Sequence, residues 1–168
     1  VEYPQQAYEN KSLPTITFKD EMKLNFNNNN ISLHNFGPAH TTGDTIVFFK
    51  EENIIHFGDV LNIDSMVFID SGNGGSLSGM IKNLEQALKI MNKETVVVPG
   101  HGQITNYETV KRYLEGLIIT KQKLIEMINN DMSLEEIIEN NPIKNLEEIL
   151  GDTTVLINRS YLSLTKDQ

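Results

Sequence analysis

The stretch VVVPGHG (residues 96–102) begins with three valines, which predict a buried β-strand. Pro99 and Gly100 end this strand, and His101 follows on the loop between two glycines. Because the strand does not alternate with polar residues, we expect both of its faces to be covered. Loops at strand ends often carry function on a rigid scaffold, so His101 is a candidate functional residue.

Two further loops also combine a strand end, a glycine and a candidate functional side chain. FGPAHTTGDT (36–45) offers His40 and HFGDVL (56–61) offers Asp59, each close to a glycine that lets the backbone approach closely. Imidazole and carboxylate together are typical ligands of zinc or iron, and a carboxylate among imidazoles can bridge two metals. We therefore predict that His40, Asp59 and His101 meet at one rim of the fold. Asp44 is either a turn residue or a carboxylate that orients an imidazole.

The two remaining histidines have less functional promise. His34 alternates with Ser32 and is predicted on the solvent face of a hairpin, whereas His56 lies within an apolar strand and is predicted to be a packed core or rim residue. Met66 and Phe68 follow the Asp59 loop and are interpreted either as lining a pocket mouth or as core residues.

Along the chain, the spacing of the hydrophobic residues changes from one typical of strands to one typical of helices. The pattern predicts a strand at 13–18, hairpins at 22–35 and 45–57, a helix at 76–91, a strand at 95–99, and helices at 106–129, 133–141, 143–150 and 152–164. Strands followed by helices predict an α/β (α+β) fold, in which a sheet carries helices on one side.

Composition excludes several classes of function. The net charge of −9 disfavours nucleic acid and anionic membranes as partners, because both require basic patches. The absence of cysteine excludes disulfides, thiolate ligands and a cysteine nucleophile. No apolar run approaches the roughly 18 residues of a membrane span. We expect a soluble protein, cytoplasmic or exported, with the compartment left open.

The motifs GPAHTTGD, FGDVL and VVVPGHG, in this order and at these spacings, resemble the last three metal motifs of the metallo-β-lactamase-fold hydrolases. The resemblance covers roughly residues 13–115. It implies an αββα sandwich and two metal ions, usually zinc and sometimes iron or manganese. It places His40 on the first metal, Asp59 as the bridging catalytic acid, and His101 on the second metal. It also implies attack of a metal-bound hydroxide on an ester, thioester, lactam or similar bond of a small molecule.

The aspartate at position 59 and the Gly-Gly-Ser start of a helix within 69–84 are similar to a cyclase-like or glyoxalase-II-like branch of this family. The first metal motif of the family, H-x-H-x-D-H, is absent from the sequence. We expect it upstream of residue 1, so residues 1–168 are interpreted as a single partial domain, the C-terminal portion of the sandwich, with 106–168 as C-terminal helices.

Two consequences follow from a partial sandwich. We expect its apolar sheet face to be covered by the missing N-terminal half or by a second copy of the chain. We also expect the chain alone to hold little zinc. Two alternatives stay open: a truncated, non-catalytic binding or assembly module with the same fold, and an ordinary α/β domain whose histidines do not converge.

Overall fold

The computed structural model describes residues 8–166, which form a six-stranded sheet with helices on one face. The strands are β1 (Glu21–Phe26), β2 (Asn29–His34), β3 (Ile46–Phe49), β4 (Ile54–His56), β5 (Val96–Val98) and β6 (Thr105–Asn106). They lie in the sheet in chain order, and every neighbouring pair is antiparallel except β4 and β5, which are parallel.

Both predicted hairpins are present. β1 and β2 are joined by Asn27 and Asn28, whose φ angles of 50° and 64° suit the tight hairpin turn that matches the twist of paired strands. β3 and β4 form the second hairpin. The predicted strand at 13–18 is wrong, because this segment is irregular and its Ile16 side chain is 69% exposed, with no strand paired to it.

Five α-helices complete the described chain: α1 (Leu77–Ile90), α2 (Tyr107–Asn129), α3 (Leu134–Asn140), α4 (Glu147–Leu150) and α5 (Thr153–Lys166). Ser76 and Asn106 accept hydrogen bonds from backbone N–H groups in the first turns of α1 and α2, as expected of N-cap residues. The predicted helix at 143–150 begins instead as a 3₁₀ turn, Lys144–Leu146, and becomes α4. Within residues 8–166, none of the helices is both long enough and apolar enough to cross a membrane.

One face of the sheet packs against the helices and forms the core. Ile46, Ile55 and Val97 point to this face, are fully buried, and join residues of α1 and α2 in one hydrophobic cluster. Since side chains alternate along a strand, the residues between them point the other way. The prediction of a sheet with helices on one side, and therefore of an α/β (α+β) class, is confirmed.

The opposite face of the sheet, which we call the open face, is also apolar. Its members come from five strands: Met22, Leu24, Phe26, Ile31, Leu33, Val47, Phe49, Ile54, His56, Val96 and Val98. Phe26 is 66% exposed and Val96 is 39% exposed. Within residues 8–166, β5 is therefore covered only on the side of Val97, and the expectation that its other face is also covered stays a prediction.

The two histidines predicted to lie away from the site are on the sheet. His56 is on the open face and half-buried, rather than in the core. His34 is also half-buried rather than solvated, because its ring stacks on Phe36 with a centroid distance of 5.2 Å, and its Nε2 lies 2.8 Å from Ser32 Oγ. Burial lowers the pKa of His34.

Candidate functional site

The parallel pairing of β4 and β5 brings two of the predicted residues to the same edge of the sheet. Asp59 lies in a 3₁₀ turn (Gly58–Val60) directly after β4, and His101 follows β5. The two loops continue the pairing: Ile63 N–H donates to the His101 carbonyl at 2.9 Å, and Gly100 N–H donates to the Leu61 carbonyl at 3.0 Å. Backbone hydrogen bonds thus fix the Asp59 and His101 loops relative to each other.

The His40 loop is held by hydrogen bonds from the segment that leads into α1. Asp70 N–H donates to the His40 carbonyl at 2.9 Å, and Ser76 N–H donates to the Ala39 carbonyl at 2.9 Å. Gly75 lies so close to the His40 carbonyl that no side chain would fit there. Gly75 and Ser76, at the start of α1, therefore hold the backbone of the His40 loop in place.

Asp59 stands between the two histidines. Its Oδ1 lies 3.2 Å from His101 Nε2, and its Oδ2 lies 4.0 Å from His40 Nδ1. The three side chains predicted from distant parts of the sequence are thus brought together at one rim. They differ in accessibility, because His101 is 66% exposed, Asp59 is 44% exposed and His40 is 19% exposed. The arrangement is open to solvent on the side of His101 and closed on the side of His40.

Asp44 both stabilises the turn and faces His40. Its carboxylate accepts a hydrogen bond of 2.8 Å from Thr41 N–H and one of 3.2 Å from Thr41 Oγ1, and its Oδ1 lies 3.6 Å from His40 Nδ1. The Thr41 bonds confirm the interpretation of Asp44 as a turn residue. The interpretation that its carboxylate orients the imidazole stays a prediction.

Asp70 is a further carboxylate near His40 that the sequence reasoning missed. The side-chain amide of Asn73 donates to it at 2.6 Å and the Asn73 backbone at 3.2 Å. These bonds, led by the side-chain amide, lower the pKa of the Asp70 carboxyl, and the nearby His40 lowers it further. The sequence signal was the Asp-x-x-Asn turn directly before the Gly-Gly-Ser start of α1.

The donor set can be tested against the metals that the motifs imply. Within residues 8–166, no three His, Asp or Glu side chains are arranged to enclose a single ion. The three residues instead offer one imidazole on each side of a carboxylate, with one oxygen facing each imidazole. Nitrogen and oxygen donors suit zinc, iron and manganese. The set therefore fits a pair of ions that share Asp59, with further ligands needed for each.

An aromatic ring lies beside His40, and a guanidinium contacts that ring. The Phe68 ring is 6.1 Å from the His40 ring, and the Arg159 guanidinium carbon lies 4.5 Å above Phe68. Phe68 is half-buried and Met66 is 44% exposed, so neither belongs to the core, and the interpretation that they line a pocket mouth stays a prediction. Arg159 was missed. Its only sequence signal was that it is one of two arginines in the chain.

The fold can be compared with solved structures. A metallo-β-lactamase from Pontibacter korlensis superposes with a TM-score of 0.55 and 18% identity, over 64% of this chain and 51% of that one. The crystal structure of DIM-1 metallo-β-lactamase gives a TM-score of 0.54 and 23% identity, over 66% of this chain and 51% of that one. The chain has the metallo-β-lactamase fold.

The chain spans about half the length of these metallo-β-lactamase-fold structures. This partial coverage fits the C-terminal portion of an αββα sandwich, as the motifs predicted. No family model matches the sequence, and no curated protein sequence matches it significantly. The assignment to a cyclase-like or glyoxalase-II-like branch therefore stays a prediction.

Proposed function

We propose that this chain forms part of a metal-dependent hydrolase whose dizinc site includes His40, Asp59 and His101. The observation that supports the proposal is the position of the Asp59 carboxylate, with one oxygen facing each histidine at 3.2 and 4.0 Å. The metallo-β-lactamase fold gives further support, because structures of this fold include hydrolases of the β-lactamase class. The proposed substrates are small molecules with an ester, thioester, lactam or similar bond.

Each residue of this chain would have a distinct task in such a site. His40 and His101 would each bind one ion, and Asp59 would bind both and fix their separation. Asp44, whose carboxylate is fixed by Thr41, would hold the His40 ring through Nδ1, and Nε2 would then be the nitrogen of His40 that binds the ion. When bound, the ions would supply Lewis acidity and lower the pKa of an attacking water.

We also propose that the open face is covered in the functional protein by a second β-layer that precedes residue 1. Soluble proteins rarely expose an apolar surface that spans five strands. The solved structures of the same fold are about twice as long as the segment that this chain matches. The same layer would bring the further ligands that each ion needs. A second copy of the chain is the competing occupant.

The hydrolase proposal is tested by substituting His40→Ala and His101→Ala separately in the full-length protein, with metal content and ester or lactone hydrolysis as readouts. We expect each variant to lose bound metal and to lose more activity than the about 10- to 100-fold typical of a residue that acts only through a ligand. His34→Ala, at a histidine on β2 that lies neither in the cluster nor on the open face, is the matched control. Unchanged metal content and rate in both variants would contradict the proposal, whereas a wild-type protein that holds no metal and hydrolyses neither substrate would favour a non-catalytic binding module.

A further inference from the structure

Asn73 is the only asparagine in the sequence that is followed by glycine, although the chain is rich in asparagine. It ends the 3₁₀ turn Ser71–Asn73, shortly before α1, and it is exposed. Asparagine is one of the thermolabile residues of proteins, because the backbone nitrogen of the next residue is able to attack its carboxamide carbon. A glycine in the next position has no side chain to hinder this attack. The pair Asn73–Gly74 therefore has the composition that favours deamidation.

The backbone nitrogen of Gly74 is not engaged in a hydrogen bond. Within residues 8–166, the Gly74 N–H has no acceptor, whereas the N–H groups of Asn73 and Gly75 donate to the Asp70 carbonyl at 3.0 and 2.8 Å. A bonded N–H has to give up its acceptor before the nitrogen attacks, which costs free energy. The nitrogen that the reaction requires carries no such cost.

The Asn73 carboxamide also stabilises the turn. Its Nδ2 donates to Asp70 Oδ2 at 2.6 Å, and the Asn73 backbone N–H donates to Asp70 Oδ1 at 3.2 Å. The first bond restrains the carboxamide, so the reaction belongs to the ageing of the folded protein rather than to a fast switch. A carboxylate in place of the carboxamide would remove this donor and set two like charges against each other.

The same turn holds the His40 loop. Thr42 N–H donates to the Asn73 carbonyl at 3.1 Å, and Asp70 N–H donates to the His40 carbonyl at 2.9 Å. Gly74 packs on Thr42 so closely that an added Cβ would stand 2.5 Å from Thr42 Cγ2. A longer backbone at position 73 therefore has no room unless Thr42 and the His40 loop move.

We propose that Asn73 is a deamidation site and that its conversion releases the His40 loop. The Gly74 nitrogen forms a bond to Asn73 Cγ, and the side-chain nitrogen leaves as ammonia, taking the Gly74 N–H proton. Water then opens the cyclic imide. Opening at the side-chain carbonyl leaves aspartate, and opening at the main-chain carbonyl leaves isoaspartate, whose backbone is longer by a methylene group. This inference goes beyond the proposed hydrolase function and does not depend on it.

The first test incubates the full-length protein in warm, mildly alkaline buffer and maps its peptides by mass spectrometry, with electron-transfer fragmentation to distinguish isoaspartate from aspartate. Both products should accumulate at position 73 before any product appears at Asn92. Asn92 is the internal control, because it is also exposed and hydrogen-bonded through its side chain, but Lys93 follows it. Asn73→Gln is the matched variant. It keeps a carboxamide but requires a larger ring, which forms far more slowly, so position 73 should stay unconverted.

Hydrogen exchange then measures whether conversion releases the loop, and it requires neither metal nor turnover. The converted protein carries an additional negative charge, so anion exchange separates it from the intact protein. Peptides that cover residues 36–45 and 69–76 should lose protection, because the hydrogen bonds of the Thr42 and Asp70 N–H groups break. Peptides from α2 should keep theirs. Asn73→Asp, which introduces the charge without incubation, should lose protection in the same peptides.

Two results would overturn the inference. The first is an intact Asn73 after an incubation that fully converts the isolated peptide of residues 69–77, since the fold would then prevent the reaction. The second is a converted protein whose exchange in residues 36–45 is unchanged, since the turn would then accommodate the product by itself. If Asn73→Gln does not fold, the comparison of Asn73 with Asn92 in the wild-type protein still decides the first point.

Discussion

Gly100 lies against the backbone of Gly58, so closely that a Cβ added to Gly100 would stand 2.5 Å from the Gly58 carbonyl carbon and oxygen and 2.7 Å from Asp59 Oδ1. The contact lies between the loop that carries His101 and the turn that carries Asp59. It shows why the motif has glycine at position 100: the two loops can approach each other only where one of them has no side chain.

This contact predicts the effect of Gly100→Ala. Because the neighbouring atoms are backbone, the methyl group forces the loops apart, and the free energy of unfolding should fall by about 1–3 kcal/mol. Gly43→Ala is the matched control, since nothing lies within 4 Å of an added Cβ there. Urea unfolding of both variants measures the difference. Equal stability of the two variants would show that the loops are able to move apart without cost.

Asp44 provides a second prediction, on metal affinity in the full-length protein. Asp44→Asn removes the charge that faces His40 Nδ1 at 3.6 Å, and zinc affinity should fall about 10- to 100-fold. Competition with a chelator measures the affinity, and Asp20→Asn, at an exposed carboxylate before β1, is the control. Unchanged zinc affinity in Asp44→Asn would mean that Asp44 only stabilises the turn through its hydrogen bonds with Thr41.

The third prediction concerns zinc binding by the 168-residue chain alone. His40, Asp59 and His101 offer each ion of a pair only one nitrogen and one oxygen, so this chain should hold little or no zinc at micromolar metal. Isothermal titration with zinc measures the affinity and the stoichiometry. A tight titration with a whole-number endpoint would mean that the chain supplies a complete site by itself.

His34 gives a prediction for acid stability. Burial is the main cause that lowers its pKa; Lys23 lowers it further and Glu21 opposes the shift. Because the unfolded chain binds this proton more readily, the contribution of His34 to stability is complete above the unfolded pKa of about 6.5 and is lost as the pH falls through the folded pKa. The unfolding free energy of His34→Gln should therefore change less between pH 7 and pH 5 than that of the wild type. An identical pH dependence in both proteins would contradict this.

The open face gives the fifth prediction. Phe26 is 66% exposed on this face, and Ile16 is 69% exposed on an irregular segment away from the sheet. In the 168-residue chain, Phe26→Ser should reduce binding of a hydrophobic dye and self-association, whereas Ile16→Ser should change neither. Dye fluorescence and sedimentation velocity measure both. A stable dimer that only Phe26→Ser dissociates would favour a second copy as the occupant of the open face.

The parts of the fold that follow from local patterns could be predicted from the sequence. The two asparagines at 27 and 28 mark the hairpin, and Ser76 and Asn106 mark the helix starts, because turns and caps depend on neighbouring residues. The segment 13–18 has the composition of a strand but no partner strand, and pairing is not visible in local sequence. The exposure of Val96 was missed for the same reason, since burial depends on what lies across the sheet.

The loops that carry the candidate site could be predicted from the sequence, but the neighbouring side chains and the distances between them could not. Three motifs with glycine beside an imidazole or carboxylate pointed to His40, Asp59 and His101, and the structure places these residues together. Asp70 could not be found in this way, because its Asp-x-x-Asn pattern reads as an ordinary turn and only the hydrogen bond from its N–H to the His40 carbonyl brings it to the site. Arg159 follows an ordinary helix pattern, and its contact with Phe68 is visible only in three dimensions.

The two ends of the parallel pair β4 and β5 differ in function. The candidate site lies after the strands, and a set of side-chain hydrogen bonds lies before them. At the far end, Asn53 bonds to the Asn92 side chain at 3.1 Å and to the Thr95 hydroxyl at 2.8 Å, which ties the entry of β5 to the entry of β4. Because β4 and β5 are paired in register from Ile54 and Val96 to His56 and Val98, the chain length after each strand decides whether Asp59 and His101 meet. An insertion after Val98 would carry His101 out of reach of Asp59.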